Sequence, residues 1–126
     1  MKNYLKLHPV SKQFILRISI LKSMMYCGVL WGLYHEGWAI KTDPNSNEKV
    51  FPFWLNPTQA YRYAQNNWPN YHPRKISLQD FENSLLPTLN RFHVKPTLYG
   101  SSAVMFKLSS SQMKHFFFSK NNYQMA

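Results

Sequence analysis

The stretch GVLWGLYHEGWAIKTDPNSNEKVFPFWL, from Gly28 to Leu55, constrains this chain more than any other. It carries three of the four tryptophans, two turn signals and the longest strand-like runs. Such a segment reads as the central antiparallel meander of a sheet, with strands over Val29 to Tyr34, Trp38 to Lys41 and Val50 to Leu55. The polar break His35-Glu36-Gly37 holds a glycine, the residue that most easily supplies the positive φ of a tight hairpin. Asp43-Pro44-Asn45-Ser46-Asn47 is dense in turn formers and reads as a loop. Pro52 removes a ladder donor inside the third strand, which points to an edge position or a bulge there.

The flanking chain supplies helices and further strands. Ser11 is a candidate N-cap, and Phe14, Ile15, Ile18 and Leu21 then form one apolar stripe, predicting a helix to about Met24. Asn56-Pro57 is an Asx cap followed by proline at the first helical position, with Ala60, Ala64 and Trp68 facing the sheet and Pro69 ending the helix. Tyr71 to Ile76 reads as a strand, at an edge because of Pro73. Ser77, with Asp80 three residues on, opens a helix through Leu78, Phe81 and Leu85, which Pro87 should kink or restart before Asn90. His93 to Tyr99 and Ala103 to Leu108 read as two more strands, separated by Gly100-Ser101-Ser102. Ser109 to Ser111 can cap a last short helix carrying Met113, Phe116 and Phe117.

The expected order lacks the regular βαβ alternation of a doubly wound fold. It predicts an α+β fold: a small two-layer domain whose antiparallel or mixed sheet of about five to six strands carries about four helices on one face. Residues 1–10 are read as a flexible arm, 11–118 as a single domain and 119–126 as a frayed tail.

Composition narrows the function classes. Hydrophobic residues are 44% and aromatics 17% of 126 residues, enough for a packed core in one domain. Fifteen Lys and Arg stand against five acids, a net charge of +10. No acid occurs from Met1 to His35 or from Asn83 to Ala126. A field of this sign draws phosphate backbones, anionic lipid or acidic protein and says nothing about fold. Cys27 stands alone, so neither an intrachain disulfide nor a thiolate zinc cluster can form, and a reducing cytoplasm is the expected setting. The uninterrupted apolar run Met24 to Tyr34 falls well short of the roughly 20 residues of a membrane-spanning helix. Lys12, Arg17 and Lys22 interrupt any secretory leader. No integral membrane association is expected.

The residues also carry a family likeness. VLWGLYHEGWAI, then VFPFW, the Asn-Pro-Thr-Gln-Ala-Tyr helix with Trp68, and ISLQDFENSLLPTL together resemble the small bacterial family called domain of unknown function 2750. Trp31, Gly32, Leu33, Gly37, Trp38, Ala39, Pro52, Trp54 and Ala60 fall on its pattern. So do Trp68, Ile76, Leu78, Phe81, Leu86, Pro87 and Leu89. The resemblance spans roughly Val29 to Leu89. It implies a cytoplasmic α+β domain and brings no activity with it. Members of the family carry acids around the last helices, whereas this chain has Arg91, Lys95, Lys107, Lys114 and Lys120.

Catalytic and metal chemistry find little support in the pattern. Glu36, Asp43, Glu48, Asp80 and Glu82 form no pair whose spacing argues for acid and base roles. Neither a nucleophile elbow nor a phosphate-cradling glycine loop occurs. His8, His35, His72, His93 and His115 are scattered singly, without ligand spacing. A non-enzymatic chain without a cofactor or metal is the expectation. Binding is better supplied. Tyr61-Arg62-Tyr63, Tyr71-His72-Pro73-Arg74-Lys75 and Lys114-His115-Phe116 interleave cations with rings, and indoles make strong interface anchors. The candidate binding residues are therefore Trp31, Tyr61, Arg62, Arg74, Lys75 and Lys114. The expected partner is an acidic protein surface, as for an adaptor or an immunity-like protein. The alternative is sequence-independent contact with nucleic acid, without a motif for direct base readout.

Overall fold

The computed structural model describes residues 28–100 and 105–118. The arm over 1–10, the helix expected from Ser11 to Met24, Cys27 and the tail over 119–126 lie outside them. Strand β1 (Val29–Tyr34) pairs antiparallel with β4 (His72–Ser77), with Leu30 opposite Ile76 and Trp31 opposite Lys75. Strands β2 (Lys41–Thr42), β3 (Lys49–Phe53), β5 (Val94–Tyr99) and β6 (Met105–Lys107) form a second sheet in the order β2-β3-β5-β6. The β3–β5 pair is parallel and its neighbours are antiparallel. Trp31 and Trp54 exchange two backbone hydrogen bonds, 2.9 and 2.7 Å, and stitch the two sheets together.

The fold is α+β as the sequence predicts, and of the antiparallel and mixed alternatives the strand pairing is mixed, with the six strands divided between two sheets. Three helical stretches occur among the described residues, against about four expected along the whole chain. Helix α1 (Pro57–Asn67) starts as the sequence predicts, with Asn56 Oδ1 accepting from the Gln59 amide at 3.0 Å. A second stretch runs through α2 (Leu78–Asp80), a π-helical turn π1 (Phe81–Leu85) and α3 (Leu86–Arg91). Ser77 Oγ caps it by accepting from the Asp80 amide at 3.0 Å. The third joins α4 (Ser110–Met113) to the π-helical turn π2 (Lys114–Phe118) behind a reciprocal Ser109–Gln112 capping box.

Two sequence expectations about this frame need correction. The second strand is only Lys41–Thr42, while Trp38 makes a single bridge to Tyr34. In the turn between them Gly37 takes the positive φ expected of it, at 159, and Glu36 beside it is left-handed, at φ 59. Beyond that bridge the Trp38 ring packs edge to face against Tyr34 and Phe51. Pro52 does not mark an edge, because β3 lies between β2 and β5. Pro52 has the parity of Val50, which meets β2, and of Trp54, which meets β1. Its missing donor falls in the gap between those contacts, leaving the β5 ladder intact. The edge expected from Pro73 agrees with β4, which pairs with β1 alone among the described residues.

Pro87 acts as a local perturbation. It cannot give an amide hydrogen to the carbonyl four residues back, and its ring crowds that carbonyl. The backbone answers by widening, with the Leu86 amide donating to the Phe81 carbonyl five residues back, and it stays helical through Leu85 and Leu86. The expected kink or restart takes the form of one π turn.

Strand alternation divides the core into two clusters. Leu30, Phe51, Phe53 and Leu98 face α2, π1, α3 and the last helical stretch, and share a cluster with Phe81, Leu86, Met113 and Phe117. Leu33, Trp54 and Tyr99 face the other way and pack with Ala60 and Ala64 of α1. The helical layer expected on one face is thus formed by the two later stretches, while α1 covers the opposite side. Burying each large side chain in these clusters stabilises by about 1.5–3 kcal/mol relative to exposure.

Candidate functional site

The parallel strands β3 and β5 begin side by side, with Lys49 opposite Val94, and the chain opens there into a cleft of about 710 Å³. One wall is the end of α3 and the turn after it, with Asn90, Phe92 and His93; the other is Leu108, Ser109 and Ser110 at the start of α4. Asn90 Nδ2 donates to Ser110 Oγ at 2.8 Å and ties the walls together. Val94 and Pro96, both largely buried, line it with apolar side chains over the fully buried Leu108, while Lys49 and Lys95 bring cations from neighbouring strands. Phe92 is 63% exposed, an unusual state for a ring of this size in a folded domain.

Backbone geometry explains why Phe92 stands out. His93 adopts φ 58, so the chain leaves α3 through a left-handed residue before entering β5. Its amide donates to the Asn90 carbonyl and that of Phe92 to the Thr88 carbonyl, both at 3.2 Å. This closes the helix end and leaves the phenyl ring on the outer side. Asn47, on the opposite rim, is also left-handed at φ 63, a conformation that Asn and His tolerate better than most residues.

An ion cluster stands beside the cleft. Lys107 Nζ donates to Asp43 Oδ2 at 2.5 Å, Glu48 Oε1 at 2.9 Å and Ser46 Oγ at 3.2 Å. The Lys107 hydrogen bond holds the Asp43 carboxyl down at about 2, with the Asn45 amide adding to it. The same ammonium lowers Glu48, opposed by partial burial. Burial pulls Lys107 down, but the two carboxylates together outweigh it and leave its pKa raised. Two carboxylates do meet here, although their sequence spacing gave no hint of a pair. An acid–base couple needs one carboxyl pushed up and one left ionised, and here both are pushed down. Their chemistry is that of a clamp on the loop from Asp43 to Glu48.

On the α1 side, Tyr63 and Tyr99 meet edge to face with ring centroids 5.3 Å apart, and Lys41 Nζ donates to the Tyr63 hydroxyl at 3.0 Å. Burial, followed by Tyr63, pushes the Tyr99 phenol up to about 12. It stays protonated across the physiological range.

The six residues singled out from sequence are spread over this frame. Trp31 is half-buried in β1, with its Nε1 buried and without a hydrogen-bond partner among the described residues. Its register partner Lys75 is exposed on β4. Tyr61, 50% exposed, and Arg62 lie on the outer side of α1. Alternation along β4 sends Arg74 to the other face from Lys75, where its guanidinium lies 4.2 Å from the Tyr34 ring centroid and 5.6 Å from that of Trp38. Lys114 is exposed at the start of π2. Only Trp31 and Lys75 are brought together as register partners. The cleft residues Lys49, Phe92, His93 and Lys95 are not among the binding residues that the sequence singles out. The available signal was an aromatic in the polar turn Asn90-Arg91-Phe92-His93, with no core position to fill.

Among the described residues no group of three or more His, Cys, Asp and Glu could hold a metal ion, and no helix is long and apolar enough to cross a membrane. Fold and site together define a small α+β domain with an open, cation-rimmed cleft. Over residues 19–112 the chain matches the model of the family described as Protein of unknown function (DUF2750), and it belongs to that family. No curated protein and no solved structure matches it.

Proposed function

We propose that this chain is a non-enzymatic protein-interaction module of the bacterial cytoplasm, an adaptor or immunity-like protein that binds an acidic partner surface. The observation that carries this reading is Phe92, an exposed ring beside a cleft bearing Lys49 and Lys95 and next to Arg91. Exposed aromatics within a polar, charged rim are the usual anatomy of an interface anchor. The neighbouring acids strengthen it. Asp43 and Glu48 converge on Lys107, so they are already engaged. Of the fifteen Lys and Arg, six lie outside the described residues, in the two end regions, and add to the attraction.

The test is affinity capture with the full-length chain, identification of the dominant bound protein, and titration of that purified protein at rising salt. An acidic partner whose binding weakens as salt rises is the expected result. A dominant partner that is basic or neutral, bound without salt dependence, would overturn it.

The second reading, sequence-independent nucleic-acid contact, draws support from Tyr61 and Arg62, adjacent and exposed on α1. A ring beside a cation suits stacking with backbone neutralisation. Against it, the run from Tyr71 to Lys75 divides between two faces and Arg74 lies over two of the chain's own rings. Retention on random single-stranded oligonucleotides at low salt, lost steeply on adding salt, would favour it.

A further inference from the structure

We propose that the cleft at the start of β3 and β5 receives a linear segment of the partner protein in which one large apolar side chain is flanked by Asp or Glu. This deepens the acidic-partner reading and rests on it. The cleft, at about 710 Å³, lies within the range of roughly 300–1,000 Å³ typical of sites that enclose a compact ligand. That is room for a short peptide stretch, whereas a folded surface would meet only the rim.

The chemistry of the walls selects the segment. Phe92, 63% exposed, offers apolar contact to one inserted side chain, with the largely buried Val94 and Pro96 also lining the cleft. Lys49 and Lys95 extend from adjacent strands, and register pairs Lys49 with Val94 and Val50 with Lys95, so the two cations leave opposite faces of the sheet. Carboxylates on both sides of a central apolar residue would meet one cation each. Glu48 also lines the cleft, but Lys107 holds it at 2.9 Å. Lys95 reaches Glu48 only at 3.7 Å, with both side chains nearly half exposed, a contact weak enough for an incoming carboxylate to replace. A nucleic-acid strand fits less well. Stacking platforms set rings along a cationic track, whereas the exposed rings of this cleft, Phe92 and His93, share it with the Glu48 carboxylate.

The experiment is selection of random phage-displayed peptides on the immobilised full-length chain, followed by anisotropy titration of the strongest binder as a fluorescein-labelled peptide. Enrichment of sequences that set Leu, Phe or Trp among Asp and Glu is expected. Phe92→Ala should weaken the labelled peptide about tenfold or more, and Lys49→Glu with Lys95→Glu at least as much. Phe92 is exposed, so its truncation leaves the fold intact, which circular dichroism and the thermal midpoint verify. Acidic peptides whose affinity ignores these substitutions would sink the cleft as their site and leave the acidic-partner reading standing. Enrichment of no acidic sequence at all would sink both. Displacement of the labelled peptide by its own unlabelled form but not by a single-stranded oligonucleotide is expected. Displacement by the oligonucleotide with Phe92 dependence would reassign the cleft to nucleic acid.

Discussion

Lys107 on β6 and Asp43, at the head of the loop between β2 and β3, are 64 positions apart in the chain and joined at 2.5 Å. The contact closes a long circuit. Asp43 also accepts from the Asn45 amide at 2.9 Å, and its own amide donates to the Glu48 carbonyl at 2.7 Å. The turn-forming residues shape this loop locally, and one ammonium from the far end of the domain fixes where it sits. Glu48, the loop's last carboxylate, is also a wall of the cleft, so the clamp positions part of the candidate site.

Acid stability follows from the clamp. The Asp43 carboxyl is lowered from 3.8 to about 2 and that of Glu48 is lowered from 4.5, so between those values the unfolded chain binds more protons than the folded one. The stabilisation is therefore complete above about pH 4.5 and is lost as pH falls toward 2. Lys107, raised above 10.5, contributes with the opposite sign: its share is present below 10.5 and is lost as pH rises through its folded value. Urea unfolding across a pH series should show wild-type stability falling in the acid window. Lys107→Met should start lower at neutral pH and fall less steeply in that window. Parallel curves for the two proteins would contradict the assignment.

Glu36 offers a test of the hairpin. It holds φ 59, where a side chain crowds the following carbonyl at a cost of roughly 1–2 kcal/mol relative to the right-handed region. Glu36→Gly removes that crowding and adds entropy to the unfolded chain, for a net gain of about 1 kcal/mol or slightly less. The denaturant midpoint should rise with an unchanged slope. A midpoint that falls would show that the glutamate side chain contributes something beyond its backbone conformation.

Local signals were legible in the sequence and long-range ones were not. Asn56-Pro57, Ser77 and Ser109 announce their helices because a cap is a bond between near neighbours, and each makes the hydrogen bond its position implies. Among the described residues Pro73 marks an edge, since β4 pairs there with β1 alone. Pro52 misleads, because whether a missing donor is tolerated depends on where two other strands happen to stop. Which side of the sheet each helix covers depends on the parallel pairing of β3 with β5, across 45 positions from Lys49 to Val94, and periodicity carries no record of it. The site was less legible for the same reason. Lys49, Phe92 and Lys95 come to line one cleft only after that pairing forms, while the interleaved cations from Tyr71 to Lys75, adjacent in sequence, are separated by strand alternation.

Gly32 is a case where the pattern needs a tertiary reason. A Cβ added there would stand 3.0 Å from Trp38 Cζ3 and 3.1 Å from Phe51 Cζ. Neither ring can swing away freely. Trp38 is held edge to face against Tyr34 at 5.1 Å and against Phe51 at 5.7 Å. Gly32→Ala should therefore destabilise by about 1–3 kcal/mol, the usual penalty of overpacking, despite the better strand propensity of alanine. Denaturant unfolding measures it. Equal or greater stability would mean that the Trp38 indole moves aside without loss.

Phe81 is the residue on which both helix and sheet depend. It is fully buried in π1, in edge contact with Phe51 at 5.9 Å and Phe53 at 5.4 Å, and tilted against Phe118 at 5.7 Å. Its carbonyl accepts the widened hydrogen bond from Leu86, so the turn that accommodates Pro87 also aims this ring. Phe81→Ala removes the ring from the point where two strands and the last helical stretch meet, and should lower stability by about 3–5 kcal/mol. Most of a small domain's margin of roughly 5–15 kcal/mol is then at stake, so the variant should be partly unfolded at moderate temperature. Phe81→Leu keeps much of the volume and should lose clearly less, because its branched side chain still fills part of the space between Phe51 and Phe53. Chemical denaturation of the two variants separates ring packing from volume. A Leu variant as unstable as the Ala variant would place the loss in the edge-to-face contacts, which ordinarily contribute only about 0.5–1.5 kcal/mol each beyond their buried area.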